Sequence, residues 1–199
     1  MAWAEDYVTA VELRDYMRFN DSEDDVELAL AVSAASRAVD NRTNRQFGKV
    51  DTAEERTYAA EWDRRRCRWL VEIDDVQDTT GLTVQTADGA AVDSYALEPV
   101  NAKKESRPYT RLVLRTLSTE TLTSGEDEVT VSALWGWTTV PDAVKQATLL
   151  QASRFFTRRN APFGVAGSPE TGSEMRLLAR VDPDVAVALS PYVRWWGAA

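Results

Sequence analysis

Two textures of hydrophobic and polar residues alternate along the chain. Around Leu13, Tyr16 and Met17, and again from Val26 to Val39, apolar residues recur at three- and four-residue spacing, the period of an α-helix. Between Arg56 and Trp137 they recur at every second position, the period of a half-buried strand, and from Pro141 to Arg159 the helical spacing returns. The order helix, strands, helix predicts an α+β fold. Its parts are a helical core (a helical hairpin, a long third helix and a short C-terminal helix) and an inserted antiparallel β unit. The domain boundaries read as 1–50 plus 139–199 for the helical core and 51–138 for the insert.

The first helix is marked by Thr9 and Glu12 in capping-box spacing, with Val8 placed to staple onto Leu13. After the loop FNDSEDD comes the stretch DSEDDVELALAVSAASRAVDNRTNRQFG, from Asp21 to Gly48. Ser22 and Asp25 form a weak capping box, the acids suit the positive end of the helix dipole, and Gly48 is a candidate stop. On a helical wheel this helix carries two apolar stripes: Val26 and Leu30 on one side, Leu28, Val32 and Val39 on the other, with Ala31, Ala34 and Ala38 between. A surface helix of a monomer needs one stripe. The second implies either a helix buried within its own subunit or one that also packs against a neighbour through Val26, Leu30, Ala34 and Ala35.

Strands are expected at Arg56–Trp62 and Arg68–Ile73, joined by the turn DRRRC, and at Leu82–Ala87 and Ala91–Leu97 around the turn Asp88-Gly89. Two more are expected at Arg111–Leu117 and Glu128–Trp137. Pro141 suits the first position of the third helix, whose two apolar stripes include Ala143, Ala147 and Leu150, then Leu149 and Phe156. Leu149 and Phe156 are therefore further interface candidates. The Gly-, Pro- and Ser-rich run NAPFGVAGSPETGS reads as a long mobile loop, and Asp182-Pro183-Asp184 caps a short helix that ends before Pro191.

Composition narrows the function classes. The chain has 199 residues, 44% hydrophobic and 28% charged, and a net charge of −9, which suits a globular protein and not one that wraps nucleic acid. The charge is uneven: acids crowd the segment before Ala29, whereas arginines collect at Arg64, Arg65, Arg66 and Arg68 and again at Arg154, Arg158 and Arg159. Such poles are what head-to-tail subunit packing uses, and solvated faces look the same. A single cysteine, Cys67, rules out an intrachain disulfide and suggests a reducing compartment. The N-terminal stretch is acidic and has no signal-peptide pattern, and no run is apolar enough for a membrane span.

Catalytic signals are missing. With no histidine there is no Ser-His-Asp or Cys-His constellation and no HExxH metal site, and no GxxxxGK[ST] or GxGxxG phosphate loop is present. Asp21, Glu23, Asp24 and Asp25 lack the spacing of an EF-hand loop, and Asp74-Asp75 reads as a solvated turn. No enzyme, cofactor or metal is expected. The arginine cluster at 64–68 is an exposed hairpin tip, a contact for an acidic neighbour or a contact for a phosphate backbone. Adjacent Trp195 and Trp196 are either docked on the chain's own core or serve as binding anchors.

The patterns YVTAVELRDYM and DDVELALAVSAASRAVDNRTNRQF, then VPDAVKQATLLQASRFFTRRNAPFGV and MRLLARVDPDVAVALSPYVR, resemble the head-to-tail connector (adaptor) proteins of tailed bacteriophages. The matching parts span roughly 7–48 and 139–194, and the β unit corresponds to the insert of longer members. The resemblance implies a non-catalytic virion subunit, assembled in the host cytoplasm, that forms a homo-oligomeric ring, commonly a dodecamer, beneath the portal protein at the capsid vertex. Such a ring extends the DNA channel, lets the genome pass without sequence-specific binding, and carries the next neck or tail-completion protein. The segment from Asp182 to Trp196, with Tyr192, Arg194 and Trp195, corresponds to the portal-docking region. Two other classes stay open: a soluble binding module such as a regulator or chaperone, and a carboxylate- or metal-dependent hydrolase.

Overall fold

The structure, a computed structural model, describes residues 4–19, 24–115, 122, 128–158, 165–166, 175–176 and 182–195. Contacts divide the chain into two compact units, one running up to Phe47 and resuming from Val140 to Trp195, the other spanning Gly48–Thr139. The first is helical and the second is built on a sheet.

In the helical unit α1 spans Ala10–Met17, and its start is the expected capping box: Thr9 Oγ1 accepts from Glu12 N at 3.1 Å, and Glu12 Oε2 accepts from Thr9 N at 2.6 Å. Val8 and Leu13 are buried in one cluster, as a staple requires. Helix α2 runs Asp25–Thr43 with Asp24 as its N-cap, and it stops earlier than Gly48. The stop is Asn44 at φ +52, because asparagine tolerates the left-handed conformation that ends a helix. Ser22 lies outside the described residues. Helix α3, Asp142–Arg158, packs against α1, α2 and α4, the last being Pro183–Leu189.

The core of this unit gathers Leu13, Leu28, Val32 and Ala35 with Ala152 and Phe156 of α3. Both stripes of α3 are used inside the unit: Ala147 of the first is buried, and of the second Phe156 is buried and rests against Phe19, with ring centroids 5.6 Å apart, while Leu149 packs half-buried on the same cluster. The N-terminal arm is tied to α2. Tyr7 donates its hydroxyl hydrogen to Asp40 and accepts from Phe47 N at 3.0 Å, while Arg37 donates to the Ala4 and Glu5 carbonyls. Arg37 Nε lies 2.9 Å from Asp40 Oδ2, close enough for attraction although misaligned for a hydrogen bond. Burial nevertheless dominates at Asp40 and raises its pKa, the Tyr7 hydroxyl and Arg37 offsetting only part of the effect.

The sheet unit holds β1 (Glu54–Ala59), β2 (Glu61–Asp63), β3 (Arg68–Thr86), β4 (Tyr95–Glu98), β5 (Tyr109–Leu114) and β6 (Glu128–Trp135). Their order is β1-β6-β3-β5-β4, with β2 also on β3, and every ladder is antiparallel. The expected strand Arg56–Trp62 is broken at Ala60, a buried residue between β1 and β2. A larger departure is β3: the expected strands 68–73 and 82–87 are halves of one strand, which pairs with β2 and β5 early and with β6 late. Irregularities between Val76 and Thr83 let the strand bend between these partners.

The polar middle of β3 reads as a turn, yet tertiary partners satisfy its acids. Asp74 accepts from Arg56 at 2.7 Å and from the Tyr58 hydroxyl at 2.9 Å. Asp75, only 6% exposed, accepts from Trp137 Nε1 at 2.8 Å, and its carbonyl accepts from Gly136 N at 2.6 Å. The Asp88-Gly89 hairpin forms only at its tip, through Thr86 N to the Ala90 carbonyl and Val92 N to the Val84 carbonyl, both 2.9 Å. Its return arm then leaves β3, and Tyr95–Glu98 pairs with β5 instead. Of the segment 160–173 only Val165–Ala166 is described, pairing with Met175–Arg176 as a two-residue ladder, β7 with β8.

Candidate docking surfaces

Helix α2 sorts its two stripes onto different environments. Leu28, Val32, Ala35 and Val39 point into the core, whereas Val26 is 80% exposed and Leu30 71%. Ala29 and Ala34 are exposed as well. Residues 26, 30 and 34 follow the four-residue ridge of a helix, so they make one continuous apolar strip. Glu27 flanks it as an exposed acid, and Asp25 flanks its other side, held by Arg14 at 3.0 Å. Ala35 and Phe156 do not belong to this surface: each is enclosed by its own subunit, because Ala35 lies a third of a turn away from Ala34 and faces α3. Leu149 is partly covered for the same reason.

The C-terminal candidates divide in the same way. Asp182 accepts from Asp184 N at 2.9 Å as the cap of α4 and pairs with Arg154 at 3.2 Å, so its carboxylate is engaged within the unit. Arg194 is buried, its backbone N–H donating to the Thr43 carbonyl at 2.8 Å and its carbonyl accepting from Asn44 Nδ2 at 3.1 Å. Tyr192 packs edge-on against Phe47, 5.6 Å between centroids. These contacts lock the segment to the end of α2 and leave Trp195 outside, 82% exposed. Val187 of α4 is exposed to 72%. Trp196 lies outside the described residues.

In the sheet unit Arg64, Arg65 and Arg66 form the exposed tip between β2 and β3, with Arg68 half-buried at the first position of β3. Asp63 shapes the tip by accepting from the backbone N–H groups of Arg65 and Arg66 at 2.9 and 3.2 Å. Cys67 closes the turn at φ +50 and is exposed. One member of this group is invisible in the sequence. Leu114 pairs with Trp69, so the next residue, the exposed Arg115, lies level with Arg68. Only the strand register joins positions so far apart in the chain.

The described residues hold no group of three or more His, Cys, Asp or Glu side chains placed to bind a metal. A cleft of about 240 Å³ beside Trp135 and Trp137 is lined by Lys49, Asp51, Gln77 and Asp78, and the Gln77 side-chain oxygen there accepts from Thr138 N. Among the described residues no helix is long and apolar enough to cross a membrane. Among the described residues the exposed features that stand out are the apolar strip on α2, Trp195 and the arginine-rich end of the sheet.

No protein-family model matches the chain, and no curated protein matches it. Solved structures do. A chain in the neck of an empty gene transfer agent particle, computed with C6 symmetry, aligns over 100% of this chain and 96% of its own, with a TM-score of 0.58 and 16% identity. The chain shares the fold of that neck chain. A second match, in the virion of a native gene transfer agent particle, covers 88% of this chain and 94% of its own at 21% identity, and its TM-score of 0.47 is too low to add to the first. At these identities the likeness is one of fold.

Proposed function

We propose that this chain is a structural protein of a phage-like neck, an adaptor subunit that forms a ring beneath the portal and carries the next neck or tail-completion protein. The observation that supports this reading best is the fold shared end to end with a neck chain, since a likeness over 100% of one chain and 96% of the other includes the sheet unit as well as the helices. The apolar strip on α2 and the exposed Trp195 fit the same reading, because large apolar side chains in water are the raw material of subunit and partner contacts. The ring is a homo-oligomer, of twelve by the connector resemblance, placed at the capsid vertex. Genomic DNA passes through its lumen without sequence-specific contacts, and a net charge of −9 disfavours tight phosphate binding. The role is binding, not catalysis.

The test is native mass measurement of the purified full chain with and without the portal complex of its own particle. A ring mass bound to portal is the expected result. A chain that stays monomeric at every portal concentration, in particles that attach tails without it, would overturn the proposal.

A further inference from the structure

Arg64, Arg65, Arg66, Arg68 and Arg115 crowd one end of the sheet unit, and all of them are arginine rather than lysine. Like charges set opposite each other on neighbouring strands destabilise a sheet, so the level pair Arg68 and Arg115 is a local cost that the fold carries. Among the described residues Arg64, Arg65, Arg68 and Arg115 form no ion pair, and Arg66 stands 3.7 Å from Asp63. Asp63 lies opposite Arg68, but its Oδ1 already accepts from the backbone N–H groups of Arg65 and Arg66.

Two further observations narrow the partner. Among the described residues the large hydrophobic side chains that stand exposed lie elsewhere: Val100, in the sheet unit, follows the end of β4 remote from Arg115. A protein partner is held by apolar anchors at the centre of its contact, and this end offers it charge instead. Trp62 and Trp69 pack on the sheet core, ring centroids 5.3 Å apart, so they serve the core rather than a platform for stacked bases. Dense guanidinium charge without an apolar anchor suits a polyanion. Duplex DNA carries one negative charge per about 1.7 Å of axis, and the guanidinium fork matches phosphate oxygens.

We propose that the arginine end of the sheet is a sequence-independent contact for the phosphate backbone of duplex DNA. The inference deepens the neck reading, on which it rests for the presence of DNA. Because the whole chain carries −9 and repels the same polyanion, the hold is local, weak and sensitive to salt.

The test is fluorescence anisotropy of a short labelled DNA duplex with the purified full chain, titrated at several salt concentrations. Arg64→Gln, Arg65→Gln and Arg115→Gln together should weaken binding at low salt at least about tenfold and make the logarithmic salt slope shallower by about 2–3. The same loss of charge at the opposite end of β5, as Lys103→Gln, Lys104→Gln and Arg107→Gln, should weaken binding no more than about twofold, since screening confines the effect to nearby phosphates. Arg64→Lys, Arg65→Lys and Arg115→Lys should keep binding within about threefold of the unaltered chain, which separates lost charge from lost fold.

No retention of the duplex by the unaltered chain at low salt would overturn the inference, and so would equal losses in the two glutamine variants. A 64, 65 and 115 glutamine variant that holds the duplex normally but fails to join the portal would assign the arginines to an acidic protein face and overturn it as well. The duplex measurement needs no portal, so the two readings fail separately: a chain that forms no ring on portal yet holds DNA through these arginines loses the neck reading and keeps the contact.

Discussion

Ala34 and Ala35 are neighbours in sequence, equal in size and opposite in expected response to arginine. Ala35 is fully buried among Leu28, Val32, Ala152 and Phe156. Arginine there overpacks the α2–α3 contact, at about 1–3 kcal/mol, and leaves an unpaired guanidinium in an apolar core, at several kcal/mol more. Against a total stability of roughly 5–15 kcal/mol, a loss of about 5 kcal/mol lowers the melting temperature by roughly 10–20 °C. Ala34 is exposed, so Ala34→Arg should change stability by no more than about 0.5 kcal/mol.

Assembly should respond in the other order. Val26 and Leu30 are 80% and 71% exposed, and covering each contributes about 1–2 kcal/mol, so in the proposed ring the strip would supply roughly 2–4 kcal/mol to each copy-to-copy contact. A charged guanidinium set into that strip should forfeit most of it, a weakening of roughly 30- to 1,000-fold. Circular-dichroism melting together with native mass measurement on portal separates the two effects. An Ala35→Arg chain that melts with the unaltered protein refutes the packing of α2. An Ala34→Arg chain that melts normally and still assembles refutes the strip as a contact.

Other consequences are as direct. Because burial raises the pKa of Asp40, the folded state holds that proton more tightly than the unfolded chain, so the group's contribution to stability grows as pH falls through its folded pKa. Relative to Asp40→Asn, the unaltered chain should gain stability from neutral to acid pH in urea titrations; a relative loss would contradict this. Gly136 sits at φ +106, where an added Cβ would lie 1.9 Å from the Gly48 carbonyl oxygen and 2.7 Å from Lys49 Cα. Gly136→Ala should therefore cost at least about 3 kcal/mol, whereas Gly89→Ala, at φ +83 in open space, should cost about 1–2 kcal/mol; equal losses would refute the close approach. Trp195→Ala should leave melting unchanged and weaken portal association by at least about tenfold, and unchanged association in surface-plasmon measurements would remove Trp195 from the docking surface.

What the sequence determined by itself is whatever depends on near neighbours along the chain. The capping box at Thr9 and Glu12, the cap of α4 at Asp182, and the alternation of helical and two-residue periods are local, and the structure has each of them. So is the existence of two stripes on α2, since the angle between Val26 and Val32 follows from helix geometry alone. Which stripe faces inward was not legible, because two apolar faces score alike until a partner covers one. The same limit applied to Phe156, whose exposure depends on Phe19 and α2.

Tertiary structure decided the rest. The run DDVQDTTG has the composition of a turn and becomes the bend of one long strand, because Arg56, Tyr58 and Trp137, all distant in sequence, take up the charge and hydrogen bonding of Asp74 and Asp75. Asn44 stops α2 ahead of Gly48, and the chain from there packs on the C-terminal segment, Asn44 on the Arg194 carbonyl and Phe47 on Tyr192. Arg115 joins Arg68 only because antiparallel register brings residues of β3 and β5 level. Periodicity is written into adjacent residues, whereas burial and register are relations between distant ones, and those exist only once the chain has folded.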